Sequence, residues 1–257
     1  ILLRLIVNSF PNSPLPSNKI FFMRSLLRVL NKNNLVYLNN MHFVKNLIHK
    51  FLNQQISIIY NERFQKYLNT PKGVFWNSTL SQDLRLNIIL DKIIKKSKSN
   101  KVSLADVGCG YGRLFEIIIE RNLVNKIEYY GFDINNELIS FCTKQNKFQK
   151  VNFKVGTCPS KKVDFVVMSG TYNLTPINNI SLWENYIITN LRYNWKFATK
   201  GIIFNCLVNE ERTVKNKLYY TELSWIKRIC EKNFGITEIS KHSLLTEDIT
   251  IIIEKLN

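Results

Sequence analysis

The chain has 257 residues, 45% of them apolar, and a formal net charge of +17. That length accommodates one α/β domain with an extension and a full core. Five cysteines without a C-x-x-C pair and three histidines without ligand spacing argue against a disulfide framework and a metal site, and no uninterrupted apolar run approaches the roughly 18 residues of a membrane span.

Residues 1–19 hold Pro11, Pro14 and Pro16 among Ser and Asn, and read as disordered or as upstream sequence. The chain begins with Ile, so Met23 and Met41 are alternative starts. The scattered cysteines fit a reducing cytosol; the acid-free, Arg-bearing front alternatively has the character of an organellar transit peptide. Phe22, Leu26 and Leu30, then Val44, Leu47 and Phe51, recur at helical spacing. They predict one or two amphipathic helices over 20–54, and hence an N-terminal extension of 1–55 before a domain of 56–257. Beyond it, apolar runs predict strands near 102–107, 127–132, 151–155, 163–169, 200–207, 235–241 and 247–254. Helices are predicted near 81–97, 113–121, 135–146, 181–197 and 221–232, with Asp133 and Asn135 capping the third and Lys200-Gly201 ending the fourth. This alternation is that of an α/β, Rossmann-like doubly wound sheet, with the last two strands an antiparallel hairpin.

The charge is unevenly spread. No acid precedes Glu62, whereas Arg4, Lys19, Arg24, Arg28, Lys32, Lys45 and Lys50 all lie before it. The remaining excess is mostly lysine in an Asn-, Ile- and Lys-rich sequence, as an AT-biased coding region would give. A basic surface by itself supplies only non-specific affinity, so nucleic acid is the lesser expectation.

Chemistry concentrates where three of the nine glycines fall within five residues, at Gly108, Gly110 and Gly112. They follow the apolar run 102–107 and precede a helical stretch, giving strand, tight turn, helix. The spacing is G-x-G-x-G with Arg113 after it, which is neither a dinucleotide fingerprint nor a P-loop. Asp106 stands two residues before the first glycine, and Asp133 ends the next strand, where a carboxylate accepts from ribose hydroxyls. A cofactor with ribose but no phosphates suits this set.

On these residues the segment resembles motif I and the acidic loop of the class I S-adenosylmethionine-dependent methyltransferases. The resemblance extends over about residues 56–257. Thr70 to Arg85 is similar to the T-P-x-A-V-x-W-x-S-x-x-S-Q-x-x-R-F segment of a bacterial subgroup, and Ser169-Gly170-Thr171-Tyr172-Asn173 to its S-G-x-F-N after the fourth strand. Gly201 to Asn205 resembles its G-x-x-F-N, and Tyr219-Tyr220 its Y-Y. The subgroup is described only as class I methyltransferases of undetermined substrate. The resemblance implies a seven-stranded sheet with an antiparallel last strand, and S-adenosylmethionine as cofactor.

It further implies that Gly108, Cys109, Gly110 and Gly112 pass under the amino-acid portion of that cofactor, with Asp106 orienting the loop. Phe132 and Ile134 would flank the adenine. Where many relatives carry Gly-Asp after the third strand, this chain has Gly156-Thr157-Cys158, so Thr157 and Cys158 would meet the adenine instead. Trp76, Ser78, Gln82 and Arg85 would cap the cofactor, Arg85 or Ser78 holding its carboxylate; alternatively Trp76 is a core anchor and Arg85 a solvated helix charge. Ser169 would close the cofactor site at the fourth strand, with Tyr172 and Asn173 orienting the acceptor and Glu184 or His242 as bases. The leading function is methyl transfer to a small molecule. An RNA methyltransferase, a catalytically silent binding protein and a nucleotide-dependent oxidoreductase are the alternatives; the fourth strand does not end in the N/D-P-P-Y/F motif that stacks a flipped base.

Overall fold

The computed structural model describes residues 37–97, 101–145 and 151–255. The expectations for residues 1–36, including the proline-rich front and the first amphipathic stretch, lie outside the described residues. A 31-residue helix, α1 (Tyr37–Tyr67), runs across the expected boundary at 55/56 and buries Phe51, Leu52, Ile56 and Phe64. A short 3-10 turn (Pro71–Val74) leads into α2 (Thr79–Lys96). There Ser78 accepts from the backbone N–H of Ser81, satisfying an otherwise orphaned donor of the first turn. Leu86, Ile89, Leu90 and Ile93 make the buried stripe of α2, and Lys95 and Lys96 complement its carboxyl end.

The strands then alternate with helices: β1 (Val102–Val107), α3 (Arg113–Glu120), β2 (Ile127–Asp133), α4 (Asn136–Gln145), β3 (Asn152–Val155), β4 (Val163–Met168), α5 (Ile180–Trp195) and β5 (Ala198–Val208). There follow β6 (Thr213–Lys215), β7 (Leu218–Thr221), α6 (Leu223–Asn233), β8 (Thr237–His242) and β9 (Leu245–Glu254). Strands β3, β2, β1, β4 and β5 lie side by side in parallel, and β9 returns antiparallel between β5 and β8.

Period-two alternation distributes the apolar residues to two cores, one on each face. Ala105, Val107, Ile202, Phe204, Ile251 and Ile253 join one, with Trp183 and Ile187 of α5. Leu104, Ile203 and Ile252 join the other, with the α2 stripe and Leu114, Ile117 and Ile118 of α3. Each fully buried side chain of this kind contributes about 1.5–3 kcal/mol.

Two expectations are corrected. Among the described residues the sheet has nine strands rather than seven, because β6 and β7 form a hairpin within the loop after β5. Strand β5 outruns β4, and β7 pairs in parallel with its overhang, Leu207 to Tyr220 and Val208 to Thr221. Gly201 does not end a helix. Helix α5 stops at Trp195, and Gly201 lies inside β5, where a Cβ would strike the backbone of Ile253 on β9.

Among the described residues, no helix is long and apolar enough to cross a membrane.

Candidate active site

A parallel sheet leaves its ligand crevice beyond the carboxyl ends of its strands, where connections depart to opposite faces. Such a crevice, about 910 Å³ including its open mouth, lies over the tips of β1, β2 and β4. Its floor is the backbone of Val107 to Gly110, and Asp106, Asp133, Thr157, Ser169 and Gly170 stand round it.

Glycine is required at two of these positions by both backbone and space. Gly108 has φ +82°, and a Cβ there would stand 2.6 Å from Oγ1 of Thr171. Gly170 has φ +71°, and a Cβ there would stand 2.6 Å from the Trp76 indole. Only a residue without a Cβ adopts such left-handed geometry at little cost. Thr171 in turn donates to the carbonyl of Val107 at 3.0 Å, so the loop after β4 is tied to the end of β1.

Asp133 organises the β2 side. Its Oδ2 accepts from the Gly110 N–H at 3.0 Å and its Oδ1 from the Asn135 N–H at 2.8 Å. Asn135 then caps α4, accepting from the N–H groups of Glu137 and Leu138. Each carboxylate oxygen retains a further lone pair for hydroxyl donors. Burial outweighs these hydrogen bonds and pushes the Asp133 carboxyl up to about 6. Asp106, buried beneath the glycine loop, accepts from the Tyr129 hydroxyl at 2.7 Å. Burial first, opposed by that bond and reinforced by Asp133, pushes it up to about 7. Two buried carboxyl groups at adjacent strand tips favour a ligand bearing positive charge.

Several expected residues meet here: Trp76, Gln82, Asp106, Gly108, Cys109, Gly110, Asp133, Ile134, Thr157 and Ser169 all line the crevice. Gln82 is buried, and its Oε1 accepts from the Tyr111 hydroxyl at 2.6 Å. Cys109 lines the crevice, and burial raises its thiol. Ser169 lines the crevice and its Oγ is buried without a hydrogen-bond partner; an unmet polar atom of this kind calls for a ligand or water.

Other expected residues are placed elsewhere. Ser78 is spent as the exposed cap of α2 and does not line the crevice. Arg85 is not free to hold a carboxylate: its Nε donates to Asp248 Oδ2 at 2.8 Å, Nη1 donates to the Ser81 carbonyl, and its guanidinium lies over Trp76. Gly112 (φ +91°) begins α3 and faces Cys142 and Phe153 rather than the crevice. Cys158 and Phe132 also fall outside the lining, Phe132 being buried in the core. Tyr172 reaches the wall, but its hydroxyl turns inward to the Met168 sulfur at 2.9 Å and its carbonyl accepts from Trp183. Asn173 lies just beyond the lining; its carbonyl accepts from the Tyr219 N–H of β7, and its Oδ1 is buried without a partner. Neither expected base faces the crevice. Glu184 binds Arg212 and the Tyr219 hydroxyl, and His242 sits at the turn before Leu244.

The residues that sequence reasoning missed come from helices. Ile56 and Tyr60 of α1, and Tyr186 and Asn190 of α5, form a wall facing the glycine loop. Burial and the facing Asp133 push the Tyr60 hydroxyl well up. The wall is fastened by Tyr186 donating to Asn53 at 2.6 Å, by the His49 ring 4.7 Å from that of Tyr186, and by Asn135 donating to the Ser57 carbonyl. The apolar spacing of α1 announced a buried face without naming its partner.

A glycine-floored crevice, a strand-tip carboxylate and an unmet hydroxyl fit a nucleoside-bearing cofactor. Residues 97–254 match the family described as a methyltransferase domain. The chain belongs to that family. The provisionally named methyltransferase Rv1506c of Mycobacterium tuberculosis is 23% identical over 156 residues, which cover 60% of this chain and 93% of that protein. Among solved structures, a SAM-dependent methyltransferase of Leishmania major superposes with a TM-score of 0.57 at 13% identity, over 76% of this chain and 82% of that one. The plantazolicin methyltransferase BpumL, solved with a pentazolic desmethylPZN analog and SAH, superposes with a TM-score of 0.54 at 14% identity, over 81% and 98%. At such identities the likeness is one of fold, and this methyltransferase domain shares with them the doubly wound sheet.

Proposed function

We propose that this protein transfers a methyl group from S-adenosylmethionine to a small-molecule acceptor. The observation that carries this reading is Asp133 at the tip of β2, facing the crevice across from the glycine loop whose Gly110 N–H it binds at 3.0 Å. Its free lone pairs suit the ribose hydroxyls. Ile134 and Thr157 border the same end and suit the adenine, while Asp106, Gly108 and Gln82 suit the amino-acid portion. The cofactor supplies an activated methyl group on a cationic sulfur, so the protein's task is chiefly to align donor and acceptor. A fold neighbour supports the reading: BpumL was solved in complex with SAH and a pentazolic desmethylPZN analog.

Calorimetry with S-adenosylmethionine, followed by isotope transfer from labelled cofactor, tests it. Asp133→Ala is expected to weaken cofactor affinity by about 10–100-fold, the loss of hydrogen bonds to a charged acceptor. Undiminished affinity in that variant, or no binding by the parent chain, overturns the reading. Label recovered in RNA rather than in small molecules overturns the choice of acceptor.

A further inference from the structure

We infer that the acceptor is an uncharged nitrogen nucleophile carried on an apolar body. The inference rests on the methyltransferase reading above and deepens it by assigning the acceptor's class.

Charge comes first. The chain has a net charge of +17, yet among the described residues Arg113 is the sole cation lining the crevice. It is already bound by Asp83 through two hydrogen bonds of 2.8 Å, by Glu116 at 3.0 Å and by Glu120 at 2.7 Å. Among the described residues of the lining, an anionic acceptor would find no available cation. Burying such a charge without a partner is costly. The lysines among the described residues lie outside the lining.

Shape and polarity come next. Trp76, Tyr60, Tyr172 and Tyr186 present aromatic surface to the crevice, with Ile56 and Val74 beside them. Ser169 is a lining residue whose buried Oγ is neutral and unpartnered, while Asn173 Oδ1 and Asn205 Nδ2, also neutral and unpartnered, belong to residues behind the lining. Met168 pairs with Phe204, so Ser169 and Asn205 are the next neighbours along these strands. The Gly170 N–H donates to Asn205 Oδ1 at 2.6 Å, which fixes the carboxamide and leaves Nδ2 as the unused donor. An apolar body with one neutral polar group is the complement of this wall.

Proton accounting selects the nucleophile. In the transfer, the acceptor lone pair forms the new bond to the methyl carbon while the C–S electron pair stays on sulfur, turning the sulfonium into a neutral thioether. An alcohol must also lose its proton to a base as it reacts. Glu184 and His242 lie outside the crevice, and Asp106 and Asp133 sit on the β1 and β2 side that the cofactor would cover. The thiol of Cys109 and the hydroxyls of Tyr60, Tyr172 and Tyr186 are all raised by burial and keep their protons. A neutral nitrogen needs no base: it attacks with its own lone pair. A ring nitrogen then remains cationic, and an amine releases its proton to water afterwards.

The test offers the full chain labelled S-adenosylmethionine with quinoline and aniline, benzyl alcohol and phenol, or benzoate and phenyl phosphate. Transfer to a nitrogen compound is expected to exceed transfer to the others by at least about tenfold, with a rate that stays flat from about pH 7 to about pH 9. Preferential methylation of an oxygen compound or an anion overturns the inference, as does cofactor binding without transfer to either nitrogen compound. Failure to bind the cofactor at all is a separate result, read by calorimetry, and overturns the methyltransferase reading together with the inference built on it.

Discussion

Arg85 donates through Nε to Oδ2 of Asp248 at 2.8 Å, although 163 residues separate them and both side chains are almost wholly buried. The pair joins α2 to β9, and the guanidinium lies 4.8 Å from the ring of Trp76, which lines the crevice. Burial nevertheless pushes the Asp248 carboxyl up to about 6 despite the arginine. Asp248→Ala, which leaves the buried Arg85 guanidinium without its acceptor, should cost about 1.5–3 kcal/mol at neutral pH. Urea unfolding checks this. The deficit should grow as pH falls below about 6, because the parent's raised carboxyl takes up a proton in the folded state and stabilises it, which alanine cannot do.

A wider pH dependence follows from burial. Asp106, Asp133 and Asp248 are raised to about 7, about 6 and about 6, chiefly by burial. Between the ordinary carboxylate range and these values, the folded chain holds protons that the unfolded chain has released. Rising pH therefore withdraws stability across about pH 4 to 7. The ligand-free chain should unfold at lower urea near pH 8 than near pH 5. Asp106→Asn, which can still accept from Tyr129, should flatten part of that slope.

Gly170→Ala places a Cβ against the Trp76 indole on a backbone with φ +71°. Left-handed geometry alone costs a residue with a Cβ about 1–2 kcal/mol. The displaced indole should also change tryptophan emission and weaken cofactor binding. Unfolding curves and fluorescence on the same sample measure both effects.

Asn205→Ala removes the acceptor of the half-buried Gly170 N–H. An amide left unsatisfied costs about 1–3 kcal/mol. The loss should be local, so hydrogen exchange at Gly170 and Thr171 is expected to accelerate well before global unfolding is affected.

The sheet was legible because its central strands are written in largely apolar runs. Val102–Val107 and Ile127–Asp133 announce both their lengths and the tips that carry Asp106 and Asp133. The hairpin of β6 and β7 was not. Thr213–Lys215 is three residues long and has no buried face, and it pairs only because β5 overhangs its neighbour. The glycine floor was readable from spacing, although Gly112 resembles its fellows in sequence and faces the other way. The fates of Arg85 and Tyr172 depend on Asp248 and Met168, partners that side-chain type alone does not announce. The crevice wall of Tyr60, Tyr186 and Asn190 was hidden for a related reason. Helical spacing marks a buried stripe but cannot say which helix it will oppose.

The family likeness begins at residue 97, whereas Ile56, Tyr60, Val74, Trp76, Gln82 and Leu86 come from chain that precedes it. On the proposed reading, the common domain carries the strand tips and glycines that would seat the methyl donor, and the segment in front builds part of the facing wall. Exchanges in that front piece would then be expected to shift which molecules are accepted, with strand tips and glycines untouched.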